Sequence, residues 1–228
     1  GVDEIISETP INRMKLKEVP EAQKVSEPQK EEISNNALAH AQKLVARVQN
    51  LKDLYLVRNE FEDCPLKRTA AHTLNGRGSI NPQVLCIVDA PDTDDEKNAL
   101  LMSGEAGLLL DKMLLSIGLN LNQNAYVTSL IPWRPPGNRK PTDLELTLCR
   151  PFLEKEIELL KPCLILLFGA NVSAELLGIS AMSKARGSWH EYQGIPTRVS
   201  ISPRTLIKMP AQKKLAWEDL QQVKAKLT

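Results

Sequence analysis

The chain has 228 residues, enough for one compact domain with an appendage or for two small domains. Its 29 Lys and Arg against 28 Asp and Glu give a net charge of +1, which excludes a uniformly basic nucleic-acid coat protein. No apolar run approaches the roughly 20 residues of a membrane span, so no membrane association is expected. Four cysteines are compatible with two disulfides, one metal site or four separate buried thiols.

The charge is distributed unevenly along the chain. Residues 134–228 carry 15 basic and 9 acidic side chains, whereas residues 1–133 carry 14 and 19. A locally basic region can bind a polyanion even when the whole chain is nearly neutral, because phosphate contacts need nearby cations. The alternative is that these cations lie on solvated helix faces.

The first elements are a tail and a helix. Residues 1–35 mix Glu, Lys, Pro, Ser and Gln without periodicity, which predicts a disordered or extended tail. Residues 37–60 place leucines and valines near helical spacing with no Gly or Pro, which predicts one amphipathic helix. The following stretch, 63–82, is rich in turn residues.

Apolar runs then alternate with helical stretches. Thr142, with Glu145 three residues later, predicts a capping box on the longest helix. Strands that are apolar throughout and separated by helices predict an α/β fold, in which a parallel sheet is covered on both faces. The predicted strands are 84–88, 126–128, 163–168 and 197–201, and the predicted helices are 104–117, 143–160, 170–177 and 211–227.

Ligands of such sheets bind beyond the carboxyl ends of the strands. We therefore expect functional residues in the segments 89–103, 129–139, 169–171 and 202–208. The first of these is acidic, with five carboxylates between Asp89 and Glu96. Such a cluster suits metal binding or acid–base chemistry, but it equally suits the solvated start of a helix.

The segment after the second strand, IPWRPPGNRKPTDLE, combines prolines with cations. Its four prolines predict a rigid path, and cations held on a stiff loop suit a phosphate backbone because little freedom is lost on binding. The alternative is a structural connection with exposed arginines. The candidate nucleic-acid-binding residues are Arg134, Pro135, Pro136, Gly137, Asn138, Arg139 and Lys140, together with Arg204 and Lys208 after the last strand.

Taken together, these segments resemble the iron–sulfur, or family four, uracil-DNA glycosylases. YVTSLIPWRPPGNRKPTDLELTLCRPF is similar to the central block of that family, DAPDTDDEKNALLMSGEAG to its first motif, and SPRTLIKMPAQKKLAWEDL to its last. The resemblance extends over about residues 36–228, which are predicted to form the glycosylase-like domain. It implies a three-layer α/β/α fold around a four-stranded parallel sheet, and an intracellular setting, cytoplasmic or organellar. Such enzymes flip uracil out of DNA and hydrolyse its N-glycosidic bond.

The resemblance also assigns roles to individual positions, and this sequence departs from the family at several of them. Asp89 matches a Glu that helps to position the attacking water and to stabilise an oxocarbenium-like sugar, and Ser202 matches a His that donates to the departing uracil anion. Loss of one preorganised donor costs on the order of 100–1000-fold in rate, so weakened or lost hydrolysis is expected. The base-pocket positions correspond to Ala90, Pro91, Met102 and Ser129. Among them, Met102 matches an aromatic residue that stacks on the flipped base, and Ser129 matches an Asn that reads the edge of uracil.

The cluster positions are changed as well. By resemblance, four cysteines hold a four-iron four-sulfur cluster, and the matching residues here are Phe61, Cys64, Trp133 and Cys149. Because four thiolates are needed, no cluster or other cofactor is expected. The other two cysteines, Cys86 and Cys163, lie in predicted strands and are expected to be core thiols.

Three functional hypotheses follow. The leading one is a cluster-free protein of this superfamily that binds single- or double-stranded DNA weakly, with weakened or lost base excision. The second is an active glycosylase of base-excision repair with altered base choice, in which Asp89 orients water and Ser202 assists the leaving group. The third is a non-catalytic scaffold subunit of a nucleoprotein complex, whose tail and first helix contact a protein partner.

Overall fold

A computed structural model of the chain describes residues 27–228, and the side chains of residues 35–228. Within this part no helix is long and apolar enough to cross a membrane. The elements in chain order are α1 (Glu27–Val45), α2 (Leu51–Glu60), β1 (Arg77–Gly78), β2 (Val84–Val88), α3 (Thr93–Lys97), α4 (Gly104–Leu115), β3 (Ala125–Ser129), α5 (Asp143–Leu160), β4 (Leu164–Phe168), α6 (Ala170–Leu177), α7 (Met182–Ala185), β5 (Trp189–Tyr192), β6 (Ile195–Ser200), α8 (Pro203–Lys208) and α9 (Lys213–Leu227).

The strands form one mixed sheet in the order β1-β3-β2-β4-β6-β5. The four central strands are parallel, which confirms the predicted core of the sheet. The short strands β1 and β5 add antiparallel edges beyond the four predicted strands. The register pairs Val88 with Ser129 and Phe168 with Ser200, so the carboxyl ends of these strands lie level at one edge.

Alternate residues of the central strands face two different helical layers. Leu85 and Ile87 pack into a core shared with α1, α2, α5 and α6. Val84, Cys86 and Val88 pack into a second core shared with α4, α8 and α9. Because side chains alternate across a strand, a run that is apolar throughout fills both cores. The three-layer α/β/α arrangement is confirmed.

The capping box predicted for α5 is present. The Thr142 hydroxyl accepts from the Glu145 N–H at 3.3 Å, and the Glu145 carboxylate accepts from the Thr142 N–H at 2.8 Å. The two contacts satisfy donors that the first turn of a helix leaves free. They also fix the direction in which the proline-rich segment enters α5.

Three local predictions need correction. The predicted single helix 37–60 is wrong, because α1 ends at Val45 and Asn50 starts α2 by accepting from the Asp53 N–H at 3.0 Å. Helix α1 begins at Glu27, so residues 27–35 of the predicted tail are helical, and residues 1–26 lie outside the described part. Cys163 precedes β4 and is exposed, so it is not a core thiol. Cys86 is buried as predicted.

Candidate functional site

A cleft of about 450 Å³ opens beyond the carboxyl ends of β2, β4 and β6. Its lining residues come from four segments, within 89–92, 135–140, 168–171 and 202–208. The cleft therefore lies at the edge of the sheet where the parallel strands end, which is where ligands of open α/β sheets bind. Three of the four segments immediately follow central strands, and the fourth is the proline-rich loop.

Asp89, directly after β2, provides a carboxylate to the cleft. Its Oδ2 accepts a hydrogen bond from the Asn171 Nδ2 at 2.5 Å. Its Oδ1 is buried and has no hydrogen-bond partner among the described residues. Asn171 is the second residue of α6, so the positive end of that helix lies beside the carboxylate. One oxygen of Asp89 is thus held by the Asn171 amide, whereas the other is buried without a hydrogen-bond partner among the described residues.

Ser202 also lines the cleft, at the start of α8. Its hydroxyl makes no capping hydrogen bond to that helix, so it is not committed to holding the helix start. Ser202 lies close to Gly169, where an added Cβ would be 3.7 Å from the Ser202 Cβ. The structure thus brings Ser202 to the same cleft as Asp89, Ala90 and Pro91, which precede it by more than 110 residues in the sequence.

Two predicted base-pocket residues lie outside this cleft. Met102 is 1% exposed and belongs to the core beneath α4. Its carbonyl lies so close to α4 that a Cβ on Gly107 would approach it to 2.0 Å, which explains a glycine there. Ser129 is buried, and its hydroxyl donates to the Ile131 carbonyl at 2.7 Å. Neither side chain is presented to a ligand in the cleft.

Arg204 pairs with two carboxylates of the acidic segment after β2. Its guanidinium contacts the Asp95 carboxylate, lies 2.7 Å from the Asp92 Oδ2 and donates to the Ala90 carbonyl at 2.7 Å. Burial raises the pKa of Asp95, and the guanidinium only partly offsets this effect. Asp92 in turn caps α3 by accepting from the N–H groups of Asp94 and Asp95. These carboxylates are therefore structural partners of Arg204 and of a helix start.

The two arginines of the proline-rich loop are paired in the same way. The Arg134 Nε lies 2.6 Å from the Glu96 Oε2, and Arg139 forms a two-pronged pair with Glu145 at 2.6 and 2.8 Å. Burial opposes ionisation of Glu145, but hydrogen bonds from Arg139 and from the Thr142 N–H lower its pKa overall. Planar two-pronged pairs of this kind are strong and directional. They hold the loop in place at the mouth of the cleft.

Two lysines at the cleft differ from these arginines in their contacts with the described residues. Lys140 and Lys208 are exposed and line the cleft. Neither forms an ion pair with any side chain of residues 35–228. Of the five cations predicted to contact phosphate, these two are the ones that a phosphate could reach without displacing a carboxylate.

The four positions matching the family's cluster ligands meet in one buried region on the other side of the loop. Phe61 and Trp133 are fully buried, with stacked rings whose centroids lie 6.5 Å apart, and Phe152 packs at 5.1 Å from Phe61. The indole N–H of Trp133 donates to the Thr73 hydroxyl at 3.0 Å, which satisfies its one polar atom.

The two remaining thiols of this region contact each other. A hydrogen bond with Cys149 lowers the pKa of Cys64, whereas burial raises the pKa of Cys149 well above its usual value. Both are buried and free of disulfide bonds. Burial likewise raises the pKa of Cys86, the thiol in strand β2, to about 12.

Sequence comparison identifies the family. The sequence profile described as the uracil DNA glycosylase superfamily matches residues 75–221. The chain belongs to this superfamily. A type-4 uracil-DNA glycosylase from Archaeoglobus fulgidus is 26% identical over 159 residues, which cover 68% of this chain and 79% of that protein. A type-4 uracil-DNA glycosylase from Saccharolobus solfataricus is 25% identical over 191 residues, covering 78% of this chain and 88% of that protein.

A DNA polymerase from Bacillus phage SP01 is 29% identical over 157 residues, which cover 68% of this chain but only 17% of the polymerase. This superfamily domain is thus also similar to a part of a much longer protein. Its similarity to the type-4 enzymes extends over most of their length, and at about one quarter identity the chain is a divergent relative of them.

The residues of this glycosylase-superfamily domain do not fit an iron–sulfur cluster. Two thiols are present where four are needed, and the other two positions hold the stacked rings of Phe61 and Trp133, buried without solvent contact. Among the described residues no group of three or more His, Cys, Asp or Glu side chains is arranged to hold a metal ion. Aromatic rings occupy the positions that two ligands would need.

Several residues of the cleft were not singled out individually from the sequence. Asn171 and Phe168 both line it. They lie at or next to the segment 169–171, which its position at a strand end had marked. However, only the three-dimensional pairing of Asn171 with Asp89, 82 residues earlier, indicates that its amide is part of the site.

Proposed function

We propose that the protein binds nucleic acid at the cleft beyond β2, β4 and β6, with weakened or lost hydrolysis of the base N-glycosidic bond. The observation that carries this proposal is the composition of the cleft. It combines Asp89 with two exposed lysines, Lys140 and Lys208, that form no ion pair with the side chains of residues 35–228, while the side chains matching the base-pocket positions Met102 and Ser129 are buried elsewhere.

The lysines support binding to a sugar–phosphate backbone. Ammonium groups contact phosphate without reading sequence, and their contribution weakens with salt because counterions are released on binding. Because only two cations of the cleft are without an ion-pair partner among residues 35–228, we expect weak binding. Arg134, Arg139 and Arg204 contribute by fixing the surrounding segments through their carboxylate partners.

The side chains of Ser129 and Ser202 support the second part of the proposal, that hydrolysis is weakened or lost. Reading the edge of uracil needs a donor and an acceptor side by side, and the Ser129 hydroxyl is already committed to the Ile131 carbonyl. Ser202 offers a hydroxyl where a departing uracil anion would gain more from an imidazole. Removal of one such preorganised donor costs on the order of 100–1000-fold in rate.

The experiment combines a binding assay and an excision assay on the same oligonucleotides. The purified full chain is titrated against labelled single- and double-stranded DNA with and without one uracil, and abasic sites are then measured in parallel with a type-4 enzyme. We expect binding at low salt that weakens as salt rises, and excision at least about 100-fold slower than that of the type-4 enzyme. Turnover comparable to the type-4 enzyme would contradict the proposal.

One observation favours a second candidate, an active glycosylase with altered base choice. Asp89 lines the cleft at the end of β2, and its buried Oδ1 has no hydrogen-bond partner among the described residues, so this carboxylate could hold a water molecule. This candidate predicts release of a base other than uracil from damaged or mismatched DNA, abolished by Asp89→Ala. A mass-spectrometric screen for released bases distinguishes it from the main proposal.

We also propose that the domain folds without an iron–sulfur cluster. Support comes from the two missing thiolates and from the aromatic rings in their places. Protein purified without oxygen is expected to contain substoichiometric iron and sulfide, and to unfold at the same urea concentration with and without an iron chelator. A stoichiometric cluster in that preparation would contradict this proposal.

The third hypothesis, a scaffold subunit, remains a prediction. It would be favoured over nucleic-acid binding if the protein failed to bind any of the oligonucleotides at low salt and instead associated tightly with a protein partner in a salt-insensitive way. Deletion of residues 1–26 would then test whether the N-terminal segment carries that association.

A further inference from the structure

The segment that includes α8 and the start of α9 exposes apolar and basic side chains together. Residues 203–217 carry one arginine, three lysines and no acidic side chain. Large apolar side chains that usually lie in a core are exposed in the same segment, and clusters of this kind mark binding surfaces. The exposed apolar residues are Ile207, Met209, Leu215 and Trp217.

Trp217 lines a groove of about 200 Å³ between α4 and α9. The groove also contains Leu206 of α8, Met113 of α4 and Leu220 of α9, which are all buried, so its base is part of the packed core. Trp217 itself is 41% exposed. Pockets for drug-sized ligands begin at about 300 Å³, and an amphipathic helix needs anchor sites over several turns. The groove therefore suits a single ring system better than a helix.

We propose that this groove binds an unpaired base of a single-stranded nucleic acid whose backbone also occupies the cleft, and that the base stacks on the indole of Trp217. The inference rests on the proposed function, because it concerns the same nucleic acid. It adds a second contact site outside the cleft, and it predicts that single strands are preferred when they are long enough to reach both sites.

The charges around the groove support a polyanionic ligand. Lys112 of α4 and Lys213 of α9 both line it, and both are exposed. Neither forms an ion pair with any side chain of residues 35–228. Glu218, which follows Trp217 on α9, is not part of the lining. An accessible aromatic ring beside ammonium groups is the combination with which proteins bind single strands without reading their sequence.

The groove and the cleft lie on two sides of the short helix α8. Thr205 and Lys208 line the cleft, whereas Leu206, between them in the sequence, lines the groove. A helix with its side chains is about 10–12 Å wide, which about three nucleotides of a strand can span at about 3.4 Å each. A backbone held by the exposed Lys208 could therefore cross α8 and place a following base at Trp217.

The test compares oligothymidylates of about 4 and about 12 nucleotides, which lie within the range of site sizes known for single-strand binding domains. Dissociation constants are measured at low salt for the full chain and for Trp217→Ala, Trp217→Phe and Leu215→Ala. Leu215 is the matched control, because it is also 41% exposed on α9 but does not line the groove. Circular dichroism spectra and urea midpoints establish that all variants are folded.

We expect Trp217→Ala to bind the longer oligonucleotide about tenfold more weakly than the wild type, as the loss of one stacked base would cause. The shorter one, held at the cleft, should lose less. Trp217→Phe should retain most of the affinity because its ring still stacks, and Leu215→Ala should bind both lengths like the wild type.

Tryptophan fluorescence provides a direct readout of stacking. Trp133 is buried, and the ring of Trp189 lies between 5.7 Å contacts with Arg198 and Lys226, so Trp217 is the tryptophan that a base can reach. The longer oligonucleotide should quench the fluorescence of the wild type, and this quenching should be absent in Trp217→Phe.

The possible outcomes separate this inference from the proposed function. Unchanged affinity of folded Trp217→Ala for the longer oligonucleotide, or an equal loss in Leu215→Ala, would overturn the stacking site while leaving binding at the cleft intact. Equal weakening of both lengths would overturn the path across α8. A dimer in sedimentation that dissociates in Trp217→Ala and persists with bound oligonucleotide would show that a second copy covers the groove, which also overturns the inference. Failure to bind either oligonucleotide at low salt would instead contradict the proposed function.

Discussion

Replacement of Trp133 by Ala tests whether the aromatic region between the N-terminal helices and α5 stabilises the domain. Trp133 has no exposed surface, stacks on Phe61 and donates a hydrogen bond to Thr73. Deletion of a buried Trp side chain typically costs about 3–5 kcal/mol, of which an aromatic pair contributes about 0.5–1.5 kcal/mol. We therefore expect Trp133→Ala to lower the free energy of unfolding by about 4 kcal/mol.

The matched control is Trp217→Ala. Trp217 is 41% exposed on α9, so its removal should cost less than about 2 kcal/mol. Unfolding in urea is followed by circular dichroism, because each variant lacks one of the three tryptophans that would report by fluorescence. Phe61→Ala and the double variant complete a mutant cycle, in which the stacked pair should be non-additive by at least about 0.5 kcal/mol.

The reasoning would be refuted if Trp133→Ala were no more destabilising than Trp217→Ala. That result would mean that the ring does not fill a packed core, and that the region is held together by something other than these side chains. An additive cycle with two large single effects would instead show that Phe61 and Trp133 are each packed but do not stabilise one another.

Three further predictions concern charged groups. Glu156→Gln should lower the free energy of unfolding by about 3–5 kcal/mol in urea titrations, because it leaves the buried Arg58 without its carboxylate partner. A loss below about 1 kcal/mol would contradict a buried ion pair. Burial alone would raise the pKa of Glu145, but hydrogen bonds from Arg139 and from the Thr142 N–H lower it overall. The stabilisation that these contacts give to the folded state is therefore present above about pH 4.5, and it is lost as the pH falls through the folded-state pKa of Glu145. The difference in urea midpoint between the wild type and Arg139→Gln should therefore be seen at pH 7 and shrink below pH 4.5, and a difference that persisted unchanged in acid would exclude this pairing as its source. Lys140→Ala and Lys208→Ala should each weaken DNA binding and reduce the slope of log affinity against log salt by about one, whereas Lys224→Ala on the exposed face of α9 should change neither.

Much of the central fold could be predicted because its signals are local. The strand at Val84–Val88 and the helices starting at Asp143 and Ala170 coincide with the predicted elements. An apolar run flanked by turn residues specifies a buried strand, and a Thr-x-x-Glu pair specifies a helix start, without reference to distant residues. The short edge strands escaped prediction because their pairing partners, and not their own composition, make them strands.

The candidate site was only partly predictable. Position after a strand was sufficient to mark Asp89, Ser202 and Lys208, because parallel strands bring their carboxyl ends to one edge, and the combination of prolines and cations marked Lys140. Similarity to a family also marked Met102 and Ser129, yet the structure leaves both outside the cleft. Matching a position to a motif does not reveal whether a changed side chain still points to a ligand.

The sequence by itself therefore determined the α/β architecture, the edge of the sheet at which the cleft lies, and the loss of two thiols that a cluster would need. Only the tertiary structure decided which charges are free. Arg204 meets Asp95 across 109 residues, and Asn171 meets Asp89 across 82. Sequence patterns report the few residues of a helix turn or strand pair, whereas ion pairs and hydrogen bonds between distant segments depend on how the layers pack. For that reason the apparently basic proline-rich loop proved to hold two arginines paired with carboxylates and one lysine, Lys140, that forms no ion pair with the side chains of residues 35–228.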